Sequence, residues 1–553
     1  VIKKLGAFER LNADFKWQIP EFYNIGTDVC DRWAEQDPKK LAIIDVGFDH
    51  THKEYSYKDI QLFSNQLANA LAKRGVTVTD KYPDRVAILL PQCVETAVSH
   101  IAVFKLGGIT IPLFTLFGQD ALLHRLRDSG AKALITNSDG LEKFRQIRQN
   151  LPDLDCLITI DAATTDAENI LDVCQNELST FTAKNTRSDD PALLIYTSGT
   201  TGNPKGALHA HRVLLGHLPG VELSHNFLPV VGDRFWTPAD WAWIGGLLDV
   251  LLPSLHHGIP VVAHRAVKFD PAQAVQLMKK FGVRNAFLPP TALKLMQCLP
   301  DKHFEGLSVR SIGSGGESLG ADLIDWGRRV FDTTINEFYG QTECNMIVSS
   351  CSALEPTSAG CMGRAVPGHD VRIIDPLSGV AVDDGCEGAI AVKAPNPVMF
   401  IEYWNNLDAT RDKFIEGRDG RWLLTGDRGI REANEQMRFV GRDDDVITSS
   451  GYRIGPAEIE NCLVSHQAVL LAGVVSKPDQ IRGAIVVAYV QLQDGFLPSD
   501  EQSKELADWV KVRLAAHEYP REINFVPILP MTTTGKIIRA TLRNWALEGL
   551  SAE

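Results

Sequence analysis

Residues 196–212 read YTSGTTGNPKGALHAHR and follow the apolar run ALLIYT at 192–197. Glycines let backbone N–H groups turn toward an anion, the hydroxyls add donors, and Lys205 adds a positive charge. A Gly/Ser/Thr tract alone is more often a surface turn. Here Pro204, Lys205 and Gly206 follow it in order behind a strand-like run, which favours a loop that holds phosphate. The pattern G-x-x-x-x-G-K-[ST] cannot be threaded through it, so the phosphate loop of P-loop kinases and motors is disfavoured.

Upstream, strand-length apolar runs alternate with helical periods. RVAILL (85–90), ITIPLF (109–114) and KALITN (132–137) read as strands; CVETAVSHIAVFKLGG (93–108) and DALLHRLRDSG (120–130) read as helices. Downstream the alternation resumes at GIPVVAH (258–264) and VRNAFLPP (283–290), then gives way after about 360 to short strands with Gly, Pro and Asp turns. Three acids and a Ser-Ser-Gly step interrupt the pattern at 440–455. A compact α+β set follows, in which Leu506, Trp509, Val510 and Leu514 share a helical face. The expected fold class is α/β. A large multi-lobed N-terminal domain (1–441) combines two parallel-type αβ sheets with a β-rich part from about 360 to 441. A hinge at 442–446 leads to a small, mobile α+β C-terminal domain at 447–553.

The 553 residues exceed what one core holds. The composition, 44% hydrophobic and 23% charged, is that of an ordinary globular enzyme. A net charge of -13 argues against a nucleic-acid partner, so any anion site must be locally positive. Ten scattered cysteines without a C-x-x-C pair suggest reduced thiols. The N-terminus has no apolar signal core and no run is long enough to span a bilayer. A cytoplasmic location is expected, or the mitochondrial matrix for a eukaryotic chain whose leader has been removed.

YTSGTTGNPKG resembles the signature loop of the adenylate-forming superfamily of acyl-CoA synthetases, nonribosomal adenylation domains and luciferases. Five further motifs follow in the family's order: SGGESLG (314–320), NEFYGQTE (336–343), LLTGDRG (423–429), GRDDDVITSSGYRIGPAEIE (441–460) and TTTGKIIR (532–539). The texture is most similar to medium-chain acyl-CoA synthetases. The resemblance implies an ATP-dependent acid–CoA ligase: acid and ATP give acyl-AMP and pyrophosphate, then coenzyme A gives acyl-CoA and AMP. It implies Mg2+ as cofactor, held by Glu343, which suits an ion that takes few protein oxygens. Thr342, Glu343 and Lys536 become the catalytic candidates. The nucleotide candidates are Thr197, Ser198, Gly199, Thr200, Thr201, Gly202 and Lys205; Gly316, Glu317 and Ser318; Glu337, Phe338, Tyr339, Gly340, Gln341 and Thr342; Asp427, whose carboxylate suits the two ribose hydroxyls; and Arg442 and Arg453. Ser450, Gly451, Tyr452 and Arg453 are implied in coenzyme A binding, with Asp444 as hinge. Taken singly, these features have plainer explanations: a lone Glu is a solvated helix-edge acid, TGDRG an Asp turn, Lys536 an exposed lysine and RDDD an acidic turn.

The aromatic stretch FWTPADWAWIGG (235–246) reads by composition as core. By resemblance it borders the acyl pocket, with Asp240, Trp241, Trp243, Ile244, Gly245, Gly315 and Gly340 as lining; Ala242 stands where relatives carry glycine. Small residues at Gly245, Gly315 and Gly340 predict a preference for medium-chain, branched short-chain or aromatic acids over acetate. HAH (209–211) and HH (256–257) read as packing histidines rather than metal ligands, with His209 a candidate neighbour of ATP. A stand-alone adenylation enzyme loading a carrier protein is the alternative; a non-catalytic nucleotide-binding regulator is more remote. Lys536 is also a candidate for charge-removing acylation by a protein acyltransferase.

Overall fold

The computed structural model describes residues 2, 8–77, 83–197, 204–266, 268–317, 319–358, 360–443, 445, 447–449, 452–479, 483–514, 519–532 and 536–549; the side chains of 448, 452, 453, 458 and 483 fall outside this description. Ser198, Gly199, Thr200, Thr201, Gly202, Ser318, Asp444, Ser450 and Gly451 therefore lie outside the described residues, as do the side chains of Tyr452 and Arg453.

The apolar runs become the interior strands of a sheet that has eight strands among the described residues. Arg85–Leu89 pairs in parallel with Ile109–Pro112 and Ala133–Thr136, and Ile109–Pro112 pairs in turn with Pro191–Thr197. Parallel strands buried on both faces need near-continuous apolar sequence, and these have it. Helix Val94–Leu106 crosses between the first two and stops where Gly107 takes a left-handed φ of 76°. At the other edge the sheet turns antiparallel. Pro191–Thr197 pairs with Lys205–Ala210, Thr197 opposite Lys205, and Glu402–Tyr403 adds the last strand. The strands flanking 198–203 are thus antiparallel neighbours, where a P-loop would lead from a strand into a helix.

The second sheet departs from the expected division. Its parallel half includes Phe235–Trp236, Asn285–Phe287, Ser311–Gly315 and Ile335–Gln341. It then continues without a break: Cys344–Ser349 pairs with Cys361–Ala365, which pairs with Met437–Arg442, then Gly420–Arg431, Glu387–Lys393 and Val371–Ile374. The β-rich part is hydrogen-bonded into one fourteen-stranded sheet among the described residues. Ladder bonds at Val348–Ala365 and Ser349–Arg364 make the join.

From Ile447 onward the chain builds separate apolar clusters. Val469–Asp479 and Gly483–Leu492 are antiparallel, Glu522–Phe525 joins in parallel, and helices Pro456–Val464, Asp500–Arg513 and Arg539–Glu548 accompany them. Leu506 and Val510 are fully buried, with Trp509 and Leu514 packed against the same cluster. No helix among the described residues is long and apolar enough to cross a membrane.

Candidate active site

Three parallel strands, Phe235–Trp236, Ser311–Gly315 and Ile335–Gln341, end where the motif loops begin, the usual place for a ligand in an α/β sheet. Thr342 and Glu343 form the two-residue turn between Ile335–Gln341 and Cys344–Ser349, with Gln341 opposite Cys344. The turn leaves Glu343 buried, its Oε1 accepting the Tyr403 hydroxyl. Tyr403 lies on the strand paired with Lys205–Ala210, and the Lys205 ammonium sits 5.2 Å from its ring centroid. The edge hairpin, Glu343 and Lys205 are thereby tied into one wall. His124 Nε2 meets the Pro204 carbonyl at 2.9 Å on the same hairpin.

Asp427 and Arg442 are ladder partners, and the Tyr339 hydroxyl donates to Asp427 Oδ2 at 2.5 Å. Burial pushes the Asp427 carboxyl up from its ordinary value, against the pull of Arg442, Tyr339, Lys413 and Lys536. Lys536, from the C-terminal part, reaches this group. A Cβ built on Gly316 would lie 3.6 Å from its Cε and 3.9 Å from its Nζ. Its side chain is open to water in the cleft, yet the protein around it lowers its pKa, while Glu317 and Asp427 oppose that shift. Glu317 in turn accepts from the Thr291 hydroxyl at 3.2 Å.

Lys413 belongs to the same array and sequence reasoning missed it. Its ammonium donates to the Thr425 carbonyl at 3.1 Å and interacts with Glu343 and Asp427. Burial and the nearby charges of Arg442 and Lys205 lower its pKa. Lys205, Lys413, Arg442 and Lys536 make this region locally cationic inside a chain of net charge -13. Neither Lys413 nor Tyr403 stands in a motif; only the tertiary fold brings them here.

Glu337 is buried. The Leu319 N–H donates to its Oε1 at 3.3 Å, its Oε2 has no partner among the described residues, and burial pushes the carboxyl up to about 8. Between its ordinary value of 4.5 and about 8, the folded chain keeps a proton that the unfolded chain has released. This contribution to stability is fully present below 4.5 and is lost as pH rises to about 8. Asp240, pushed up to about 7, acts with the same sign. Glu337→Gln should therefore flatten the fall of the melting temperature between about pH 5 and 8. An unchanged slope would contradict the assignment.

Of the acyl-pocket candidates, Asp240, Trp243, Ile244 and Gly245 are half-buried. Trp241 is buried in the main core; Trp243 packs on Phe114 and Phe117 with ring centroids 5.6 and 5.9 Å away; Ile244 starts the next helix; Ala242 donates its N–H to Asp240 Oδ1 at 2.7 Å. The inference that Gly245, Gly315 and Gly340 leave a wall open is corrected. Gly340 sits at a register shift of its hairpin, and an added Cβ would lie 2.5 Å from both Asn345 Cα and Met346 N. A Cβ on Gly315 would lie 2.6 Å from the Phe338 ring and 2.7 Å from its carbonyl oxygen; one on Gly245 would lie 2.9 Å from Phe287. Close approach of neighbours, not open space, requires glycine at these positions. Gly340→Trp should consequently destabilise the fold by ~2 kcal/mol or more and slow every acid alike. A stable variant that merely shortens the acid range would restore the open-wall reading.

His209 is fully buried and burial pushes it down to about 3. His256 meets Asp28 at 2.6 Å and His257 meets Glu222 at 3.3 Å, so both tie helix Leu252–His257 to its neighbours.

Residues 30–404 match the family described as AMP-binding enzyme, and residues 458–536 match the AMP-binding enzyme C-terminal domain. Acetyl-coenzyme A synthetase of Bacillus subtilis (strain 168) is 31% identical over 541 residues, 95% of this chain and 91% of that protein. Human mitochondrial acyl-coenzyme A synthetase ACSM2B is 31% identical over 549 residues, 96% of this chain and 92% of that protein. The crystal structure of a Brucella canis acyl-CoA synthetase aligns with a TM-score of 0.75 at 30% identity, covering 99% of this chain and 100% of that one. The two family matches fall on the two parts of the chain that meet at Lys536, and the chain belongs to the AMP-binding enzymes as an AMP-forming acyl-CoA ligase.

Proposed function

We propose that the described geometry is the arrangement for the first half-reaction, attack of the acid's carboxylate on the α-phosphate of ATP. The carrying observation is Lys536, delivered from the C-terminal part to within reach of Gly316, Glu317 and Asp427. In this reading Lys205 and residues 197–202 grip the pyrophosphate end. The Thr342 hydroxyl contacts the α-phosphate, Asp427 with Arg442 holds the ribose, and Gly316, Glu317 and residues 337–341 flank the base. Lys536 stabilises charge developing on the carboxylate and α-phosphate. Among the described residues no group of three or more acidic, His or Cys ligands could hold a metal. Magnesium fits the site differently, through the buried Glu343 carboxylate, with phosphate and water supplying its other ligands. When bound it would neutralise phosphate charge.

The domain division at 442–446 and a pivot at Asp444 are supported by the acids on either side. Asp443 Oδ1 lies 3.8 Å from Arg428 of the large part, whereas Asp445 is buried against Arg539 and Arg543 of the small part. Rotation between them would withdraw Lys536 and bring in residues 450–453, along which pantetheine would enter. The reading is tested with a panel of carboxylic acids. Pyrophosphate and AMP should be released in an acid-dependent manner, with thioester formed only when coenzyme A is added. ADP release, or turnover only with a carrier protein, would overturn it. Acylation of the water-exposed Lys536 would abolish its charge and stop this first step; full pyrophosphate release by an acylated sample would refute that. The ten cysteine thiols, none of them in a disulfide, support a reducing compartment, cytoplasm or mitochondrial matrix.

A further inference from the structure

Lys413 stands in DATRDKF (408–414), outside every family motif. The segment leading to it is fastened to the wall that holds Glu343. Tyr403, whose hydroxyl donates to Glu343, gives its N–H to Thr410 Oγ1 at 2.9 Å in helix Leu407–Asp412, and Lys413 follows that helix directly. Lys413 is then fastened to the strand of Asp427. Its carbonyl accepts the Leu424 N–H at 2.8 Å, and its ammonium turns back to the Thr425 carbonyl at 3.1 Å and the Leu424 carbonyl at 3.5 Å. The Asp427 N–H donates to the Thr425 hydroxyl at 3.1 Å. Phe414–Gly417 continues as the antiparallel neighbour of Gly420–Arg431. The ammonium is thus held by backbone of the large part, between the segment that supports Glu343 and the strand that carries Asp427.

A lysine is a costly way to satisfy two carbonyls. An ammonium has three N–H groups, and these carbonyls use two of them at most. A neutral amide would serve the same carbonyls without taking a charge out of water. Around Lys413 the carboxylates of Glu343 and Asp427 attract it, while Lys205 and Arg442 repel it. In the proposed reading Lys205 and Glu343 mark the pyrophosphate end of ATP, and Asp427 and Arg442 mark the ribose end. The group of ATP between those ends is the α-phosphate. An anion there would turn the surplus of cations into an asset.

We propose that Lys413 is a further substrate-contacting residue, whose ammonium binds the α-phosphate and keeps hold of it through both half-reactions. The inference rests on the ligase reading and adds a residue to it. Lys536 arrives with the C-terminal part and leaves with it, whereas Lys413 is bonded to a strand of the large part and stays with the adenylate. In the first half-reaction a carboxylate oxygen bonds to the α-phosphorus, the bond to the pyrophosphate oxygen breaks, and pyrophosphate takes the electron pair. In the second, the coenzyme A sulfur bonds to the acyl carbon and the bond from that carbon to the phosphate oxygen breaks. AMP takes this electron pair and the thiol proton goes to water. Negative charge grows on the same phosphate as AMP departs, and a cation fixed beside it stabilises that departure.

The test titrates the full chain with AMP and with adenosine by calorimetry, because only AMP carries the phosphate. Lys413→Met and Lys413→Gln should each lower the affinity for AMP relative to adenosine by about 10–100-fold. Gln can still donate to the Thr425 carbonyl, so it separates the charge from the packing. A dissociation constant does not depend on the active fraction, so a partly unfolded variant still reports. A parent-like ratio in Lys413→Gln overturns the proposal, because the lysine then only holds the strand. Turnover reads the second claim. Lys413→Gln should slow thioester formation from supplied acyl-AMP and coenzyme A as well as pyrophosphate formation, where Lys536→Ala spares the former. A second step at the parent rate overturns the lasting hold on the phosphate. Failure of the ligase reading shows separately, as no acid-dependent pyrophosphate release from a parent enzyme that still prefers AMP to adenosine, and the affinity ratio then decides the Lys413 contact alone.

Discussion

Lys536→Ala should lower acid-dependent pyrophosphate formation by about 10²–10³-fold while leaving thioester formation from supplied acyl-AMP and coenzyme A close to that of the parent enzyme. The asymmetry follows from where the lysine lies. It comes from the C-terminal part, yet its Nζ reaches the loop at Gly316 and feels Glu317 and Asp427. Its charge opposes like charges on Arg442 and Arg539, and protein crowds it, so in the resting cleft the ammonium is held at a cost. In the proposed first half-reaction an anion developing between carboxylate and α-phosphate would relieve that cost, making the interaction stronger in the transition state than in the ground state. Lys536→Arg is not a conservative control, because a planar fork replaces a compact point charge. Equal loss of both half-reactions in Lys536→Ala would sink the division of labour between the two orientations.

Glu343→Gln should reduce pyrophosphate formation by a comparable ~10²–10³-fold, and added Mg2+ should not restore it. The amide keeps the shape and can still accept the Tyr403 hydroxyl, so the loss reports charge and not packing. Tyr403→Phe supplies the contrast. It keeps the carboxylate and removes one hydrogen bond, so its loss should stay within about tenfold, the scale of a single bond of ~1 kcal/mol. Full rescue of Glu343→Gln by Mg2+, or a Tyr403→Phe defect as deep as that of Glu343→Gln, would reassign the carboxylate from metal holder to scaffold.

The strands of the parallel sheets were legible because burial on both faces demands uninterrupted apolar sequence, and ALLIYT or RVAILL can do little else. The motif loops were legible because glycines, hydroxyls and charges gathered in few residues. The join of Cys344–Ser349 to Cys361–Ala365 was not, since a ladder between segments more than ten residues apart leaves no local pattern. Lys413 and Tyr403 were missed for a related reason: each has an ordinary local context and matters only through what the fold sets beside it. Gly340 shows the opposite error. A glycine in sequence says that a side chain is missing, but not whether space or a neighbouring backbone takes its place, and here it is Met346 N.

The antiparallel pairing of Thr197 with Lys205 bears on how the enzyme disposes of its first product. Where a phosphate loop leads into a helix, the anion is held partly by the helix's own dipole, which is permanent and built into the backbone. In the proposed reading, the flanking strands supply no helix terminus to this loop, so retention would draw on the side-chain charge of Lys205 and Lys413 beside the loop's own N–H groups. Charge of that kind is screened by mobile ions. Product inhibition by pyrophosphate should therefore weaken steeply with rising ionic strength, and the reverse reaction, which must recapture pyrophosphate, should be far more salt-sensitive than the attack of coenzyme A on the adenylate.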